Sequence, residues 1–309
     1  MIMEDKSGAR HPFIDLLNLI FLVLAGTLVF TLLGFFISYL IYGNEVLHGL
    51  KTGDFTLPVL KIIQLCSSTG TFIFPAFLFA KQQHVGVFKY LDLRGRLDLR
   101  LIVLAIVILY IFTPFIDWTI LANQRMKLPG FLKGIESWMR AKEDQIALLT
   151  KQFLVMKSPA DLLVNLLIIA IIPAIGEELL FRACAQKIFT RWTGNFHAGI
   201  WIAAIIFSAI HVQFYGFVPR LLLGSLFGYL FYYSRNLWVP IIAHFVNNGT
   251  QVILAFILQR KGQSVELLNE PSEYPFYLPL VSLLFTAGLM VMYYRLSPLK
   301  REFDERRLD

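Results

Sequence analysis

Three groups of polar residues interrupt the apolar second half of the chain. Glu177 and Glu178 form the first group, His211 the second, and His244 with Asn248 the third. A carboxylate and a histidine can together deprotonate a water molecule, and a second histidine with an amide can donate hydrogen bonds to an oxyanion. These residue types are therefore sufficient for hydrolysis of a carbonyl compound without a covalent intermediate.

The first group predicts one ion pair and one unpaired carboxylate. Glu178 and Arg182 are four residues apart, so they share a helical face and can pair. Glu177 points about 100° away, and in an apolar environment it needs a partner on another helix or a proton. Purely structural roles stay open for these residues. Glu178 and Arg182 can form an ion pair that serves packing alone, His211 can be a hydrogen-bonded core histidine, and Asn248 can be an amide that holds helices together.

The spacing of the three groups indicates that they converge. Gly194 lies seventeen residues after Glu177 and seventeen before His211, which predicts one depth for both in an antiparallel helical hairpin, roughly 25 Å from its turn. His244 follows His211 by 33 residues, about one more hairpin. The helix between them carries Gly224 and Gly228 in a small-xxx-small pattern that permits close helix packing.

The composition shows what kind of elements must position these residues. Of the 309 residues, 57% are hydrophobic and 16% charged, and the mean hydropathy is +0.63. A soluble globular domain has roughly 25% charged residues, so a membrane protein is indicated, and because lipid cannot satisfy backbone groups the spans must be helical. We predict an all-α polytopic bundle of about eight transmembrane helices, at 13–42, 56–80, 101–122, 160–190, 197–214, 217–234, 238–259 and 275–296.

The connections predict the organisation around this bundle. We expect a single integral membrane domain over 1–309, with 123–157 forming either an amphipathic interfacial helix or a solvated loop. The net charge of +7 lies in short loops, which argues against a nucleic-acid partner. Lys and Arg residues in the connections favour both termini in the cytoplasm, among them Lys6, Arg10, Arg301, Arg306 and Arg307.

Over residues 160–255 the polar groups form an ordered set of motifs. The chain closely resembles the CPBP family, also called the Abi family, in Glu177-Glu178-x-x-x-Arg182, Phe207-x-x-x-His211 and His244-x-x-x-Asn248. This family includes CAAX prenyl proteases of the type that processes Ras-like proteins, and bacteriocin-processing or self-immunity proteins. The resemblance makes 160–255 the expected catalytic core.

What the resemblance implies is a glutamate-dependent intramembrane endopeptidase without a cofactor. Glu177 and His211 would activate the water, while His244 and Asn248 would hold the oxyanion. Glu178, Arg182 and Phe207 would support the site. Membrane lipid and a peptide or lipidated protein substrate are the partners implied, including a carboxy-terminal tripeptide after a prenylated cysteine.

Three alternatives stay open at this point. Glu177, His211 and His244 are chemically adequate ligands for a divalent metal, so a metallohydrolase is one of them. The same motifs in a catalytically idle scaffold or self-immunity protein would serve stability alone. An ion or proton transporter is less favoured, because we find no paired inverted repeats.

Overall fold

The molecule consists of helices joined by short turns in the part of the chain that is described. The structure is a computed structural model that describes residues 10–268 and 274–300, and these contain no β-strand. The ten main helices are α1 (Pro12–Tyr42), α2 (Asn44–Thr52), α3 (Leu57–Lys81), α4 (Leu99–Gln124), α5 (Lys133–Phe153), α6 (Pro159–Thr193), α7 (Phe196–Ala209), α8 (Phe217–Ser234), α9 (Trp238–Arg260) and α10 (Leu278–Leu296). Single turns at Val87–Tyr90, Gly130–Leu132 and Val265–Leu268 complete the described elements.

The chain is an all-α, multi-pass membrane protein, as predicted. Six described helices are long and apolar enough to cross a membrane, namely α1, α3, α4, α6, α9 and α10. The predicted count of eight is approximate, because the fifth and sixth spans correspond to α7 with 14 residues and α8 with 18 residues, which are not among these six. Lys6, Arg301, Arg306 and Arg307 lie outside the described residues, and the orientation of the termini stays a prediction.

Helix α7 ends earlier than its apolar run suggests. The sequence predicts a span to residue 214, but the helix stops at Ala209 and the chain turns through residues 210–216. Val212 has φ of 52°, a left-handed conformation that a β-branched residue rarely adopts and that interrupts a right-handed helix. His211 therefore lies in the turn after α7 and not within a span.

Helix α6 is continuous but changes its winding twice. Residues Leu166–Ile171 and Leu179–Gln186 are π-helical and flank the α-helical stretch Ile172–Glu178. Pro173 follows the first of these segments and has no N–H to donate within the helix, which favours a local change of hydrogen bonding. The wider turns alter which side chains of α6 share a face, compared with a regular α-helix.

The long connection 123–157 contains a helix over most of its length. Helix α5 covers the turn after α7: the Trp138 and Phe214 rings are 5.1 Å apart, and the Arg140 guanidinium lies 4.7 Å from the centre of the Tyr215 ring. The Tyr215 N–H also donates to the Glu143 carboxylate at 3.4 Å. The structure therefore has a helix at Lys133–Phe153, and its location at the membrane interface stays a prediction.

Candidate active site

Two acidic residues of α6 meet one histidine of α9. His244 Nδ1 lies 2.9 Å from Glu178 Oε1, and His244 Nε2 lies 3.8 Å from Glu177 Oε2. A carboxylate oxygen accepts, so Nδ1 carries the hydrogen and Nε2 faces Glu177. Both carboxylates therefore lie against the same imidazole, and Glu177 has a partner on another helix.

Arg182 neutralises the deeper carboxylate. Its Nε lies 3.0 Å from Glu178 Oε2, and both side chains are almost inaccessible, at 2% and 0%. Glu177 is less enclosed, with 11% of its side chain accessible. An ionised group away from water must be paired, so Glu178 fits a fixed structural charge and Glu177 the carboxylate that substrate and water can reach.

Glycines of α8 allow the polar side chains of α6 to find acceptors. Arg182 donates to the Gly224 carbonyl at 3.0 Å, and Gln186 donates to the Gly228 carbonyl at 3.2 Å. A Cβ at Gly228 would lie 2.8 Å from Ile200 and 2.9 Å from Gln186 Oε1, closer than side chains normally pack. The close packing that Gly224 and Gly228 predict therefore also satisfies two buried donors.

Phe207 connects Arg182 to His211. Its ring lies 4.9 Å from the Arg182 guanidinium and 5.0 Å from the His211 ring, in an edge-on arrangement. The Phe207 carbonyl accepts a hydrogen bond from His211 Nδ1 at 2.7 Å. Because a carbonyl only accepts, His211 Nδ1 carries the hydrogen and Nε2 is left as a proton acceptor.

Asn248 lies one turn beyond His244 and bridges two helices. Its Nδ2 donates to the Ile169 carbonyl of α6 at 3.3 Å, and its Oδ1 accepts from Asn247 at 3.0 Å. This carbonyl belongs to the first π-helical segment of α6. One N–H of the Asn248 amide is left for another acceptor.

The structure brings some predicted site residues into direct contact and places the others at the edge. Glu177, Glu178, Arg182 and His244 form one connected cluster, while His211 reaches it through the Phe207 ring. Asn248 is attached to α6 at Ile169 and lies one helical turn from His244 on α9.

Three residues that the sequence analysis did not select also belong to this site. The Phe227 ring stacks on the His244 imidazole at 5.0 Å and 19°, and Gln186 continues the contacts of Arg182 with α8. Arg220, near the start of α8, lies beside the turn that bears His211, where it donates to Gln213 Oε1 at 2.6 Å. A charged residue in an apolar run is itself a signal, so the rule that selected Glu177 would have found Arg220 too.

On sequence grounds Glu177, His211 and His244 are the ligands expected if a divalent metal binds. Within the described residues, which include these three, no group of three or more His, Cys, Asp or Glu side chains is arranged to hold a metal ion. His244 Nδ1 and His211 Nδ1 are bound by Glu178 and by the Phe207 carbonyl, which leaves Nε2 of each histidine for a metal or a water molecule. The metal-bound alternative stays a hypothesis that the chelator measurement below tests.

The fold and this cluster define a class: a helical multi-pass membrane protein with a buried site of carboxylates and imidazoles. Residues 159–250 match the family model of Rce1-like type II CAAX prenyl endopeptidases. The resemblance to the CPBP family is thereby confirmed for the segment that carries all the motifs.

Two curated relatives match part of the same chain. An 86-residue stretch is 29% identical to "Uncharacterized protein YpbD" of Bacillus subtilis (strain 168), covering 26% of this chain and 41% of that protein. An 89-residue stretch is 29% identical to "Putative membrane peptidase YdiL" of the same organism, covering 29% of this chain and 36% of that protein. The chain thus spans about two fifths of the length of each relative, and no solved structure matches it.

Proposed function

We propose that this protein is an intramembrane endopeptidase that hydrolyses a peptide bond with a water molecule activated by Glu177. The observation that carries the proposal is the arrangement at His244, whose imidazole is held by one fixed carboxylate and faces a second, accessible one. A structural ion pair between Glu178 and Arg182 needs no second carboxylate beside the imidazole. The family match over 159–250 supports peptide hydrolysis as the reaction.

In this mechanism Glu177 and His211 activate the water molecule. Glu177 is the accessible carboxylate, and a carboxylate near low-dielectric surroundings is a better base than one in bulk water. His211 is only partly buried and presents Nε2 as an acceptor, so it can take a hydrogen bond from the same water. The attacking oxygen adds to the peptide carbonyl, and its proton passes through Glu177 to the leaving amine.

In this mechanism His244 and Asn248 stabilise the oxyanion. The Glu178 carboxylate, itself held by Arg182, fixes the His244 imidazole through Nδ1, so that a hydrogen on Nε2 can be donated to the developing negative charge. The free N–H of Asn248 lies one helical turn away and can donate to the same oxygen. Glu178, Arg182 and Phe207 are then positioning residues.

The substrate that best suits this site is a peptide presented at the membrane. The family match favours a prenylated CAAX-like protein, from which a carboxy-terminal tripeptide is removed. In this mechanism the protein needs no cofactor, because each proton and charge has a side chain to receive it. Membrane lipid surrounds the apolar faces of the spanning helices, and both termini are expected in the cytoplasm.

The test uses purified protein in detergent and a quenched fluorescent peptide that ends in a prenylated CAAX sequence. We expect Glu177→Ala to lower cleavage by at least about 10³-fold while its melting temperature stays within a few degrees of wild type. Glu45→Ala, at an exposed glutamate of α2, is the matched control and should cleave normally. Each protein is measured with and without a strong chelator.

Three outcomes would count against this proposal. Retained activity in Glu177→Ala would remove the catalytic role of that residue. Loss of wild-type activity with chelator, restored by added metal, would make Glu177, His211 and His244 ligands instead of the groups described above. Failure of wild type to cleave this peptide or the corresponding unprenylated peptide would favour the scaffold or self-immunity alternative.

A further inference from the structure

Arg220 is a charged residue at the edge of the site that the mechanism above does not use. Helices α7 and α8 are antiparallel: the Phe196 ring stacks on Tyr232 at one end, and Phe207 lies 3.1 Å from the position of a Gly224 Cβ at the other. Arg220 precedes Gly224 by one turn, and His211 follows Phe207 by four residues. Arg220 and His211 therefore lie at the same level, at the end of the site nearest α5.

The charge of Arg220 has no close counter-ion among the described residues. Its guanidinium donates to Gln213 Oε1 at 2.6 Å and to the Gly216 carbonyl at 3.5 Å, and both acceptors are uncharged. Glu143 and Glu177 attract it electrostatically, but neither forms an ion pair with it in the described structure. The side chain is also only partly buried, so an anion can reach it.

An arginine in this setting suits a carboxylate. Its planar guanidinium presents two parallel N–H groups that match the two oxygens of a carboxylate, and both hydrogen bonds are strengthened by charge. A peptidase that cuts near the end of a chain meets one such group in every substrate, namely the terminal carboxylate. A tripeptide places this group about 10 Å from the scissile bond when it is extended.

We propose that Arg220 binds the terminal α-carboxylate of the peptide, so that the enzyme selects substrates by their free carboxyl end. This inference rests on the proposed peptidase function and adds a specificity-determining residue to it. Gln213 orients the guanidinium through its hydrogen bond, and the turn at 210–216 lies beside the place where the carboxylate binds. Arg220 acts on the substrate end and takes no part in proton transfer.

The experiment compares two peptides that differ only at the carboxyl end, one with a free acid and one with an amide. For wild type we expect kcat/KM to favour the acid by about 30-fold, mainly through KM, which is the range of a charge-assisted hydrogen-bonded pair. In Arg220→Gln the ratio of acid to amide should fall to about one, and in Arg220→Lys it should be intermediate. Arg260→Gln, at an exposed arginine of α9, should keep the wild-type ratio.

A second measurement needs only the wild-type protein. The product tripeptide as a free acid should inhibit cleavage, whereas its amide should not, so a folding defect in the Arg220 variants does not decide the question. Equal cleavage of acid and amide by wild type, or an unchanged ratio in Arg220→Gln, would overturn the role of Arg220 and leave the peptidase proposal intact. Absence of cleavage of either peptide by wild type would overturn both.

Discussion

The α1–α3 and α6–α8 crossings both depend on glycine for close approach, but the approach has a different role in each. Where α1 crosses α3, a Cβ at Gly26 would lie 2.2 Å from the Gly70 carbonyl oxygen. The polar contact beside it is neutral, between the hydroxyls of Thr27 and Thr71 at 2.8 Å. Where α6 crosses α8, the glycine carbonyls accept hydrogen bonds from charged and amide side chains of α6.

The difference lies in what stands opposite the glycines. At the α1–α3 crossing, backbone meets backbone and the contact serves helix packing. At the α6–α8 crossing, Gly224 and Gly228 meet Arg182 and Gln186, and Arg182 in turn holds Glu178 against His244. A pair of glycines in a membrane helix therefore indicates that another helix packs closely against it. The residues of that other helix determine whether a polar functional site forms at the contact.

The largest expected effect comes from removing the charge that the α6–α8 crossing holds. Arg182→Ala leaves Glu178 buried without its ion-pair partner, which costs about 3–5 kcal/mol of stability. We expect a clear drop in the melting temperature in detergent together with loss of cleavage. Arg295→Ala, at an exposed position of α10, is the control. Unchanged melting would show that the Glu178–Arg182 pair contributes nothing to the fold.

This outcome also separates two roles within the cluster. Glu177→Ala should lose cleavage with little change in melting, since Glu177 is partly accessible and belongs to the reaction. Arg182→Ala should lose both, since Arg182 belongs to the support. If the two variants behaved alike, the distinction between a reacting carboxylate and a fixed one would be wrong.

The sequence predicts the bundle well where apolar runs have sharp polar ends. The predicted spans 13–42 and 238–259 match α1 and α9 within one residue, because His11 and Lys261 flank them. The end of α7 was wrong by five residues, since nothing in its composition shows that Val212 adopts a left-handed conformation. The π-helical segments of α6 could not be predicted from the sequence either, since Pro173 is the one residue that indicates them.

The candidate site was predictable to the extent that it is local. Glu178 and Arg182 are four residues apart, so their pairing follows from helix geometry alone. The contact of both carboxylates with His244 depends on how α6 and α9 cross, which no spacing within one helix fixes. The stacking of Phe227 on His244 is a contact of the same kind, between residues of different helices.

The next largest effects compare the two crossings directly. Gly26→Ala forces a Cβ against backbone, so the helices must move apart, and we expect a loss of about 3 kcal/mol of stability. Gly228→Ala meets the Ile200 Cγ2 methyl and the end of the Gln186 side chain, not backbone, so a smaller loss of about 1–2 kcal/mol is expected. Melting in detergent measures both losses.

The order of the two variants should be reversed when kcat is measured on protein that is still folded. Gly228→Ala pushes Gln186 and shifts α8 relative to Arg182, so its kcat should fall by on the order of 10-fold, whereas Gly26→Ala should retain kcat below its melting transition. Gly288→Ala, on α10 with open space around it, is the control for both. Equal kcat for the two variants would refute the distinction between a packing crossing and a site-building one.

The smallest expected effect concerns α5, the helix outside both crossings. Glu136 accepts from Arg140 at 2.9 Å and from the Leu128 N–H at 3.0 Å, and chiefly the Arg140 contact holds the pKa of Glu136 below its usual value of 4.5. A lowered pKa in the folded state means that the stabilisation is present at neutral pH and is lost as the pH falls through that pKa. We therefore expect the protection factors of the α5 amides, that is, exchange corrected for the intrinsic rate at each pH, to fall below about pH 4.5.

Glu136→Gln should abolish this pH dependence, since the amide has no charge to lose. At neutral pH its exchange in α5 should be slightly faster than wild type, because the exposed pair contributes little in water. Glu45→Gln keeps the wild-type profile if the effect belongs to the Arg140 contact. Helix α5 covers the turn that bears His211. A change of cleavage rate in Glu136→Gln would therefore show that α5 acts on the site through that turn. An unchanged cleavage rate would show that α5 only covers the turn.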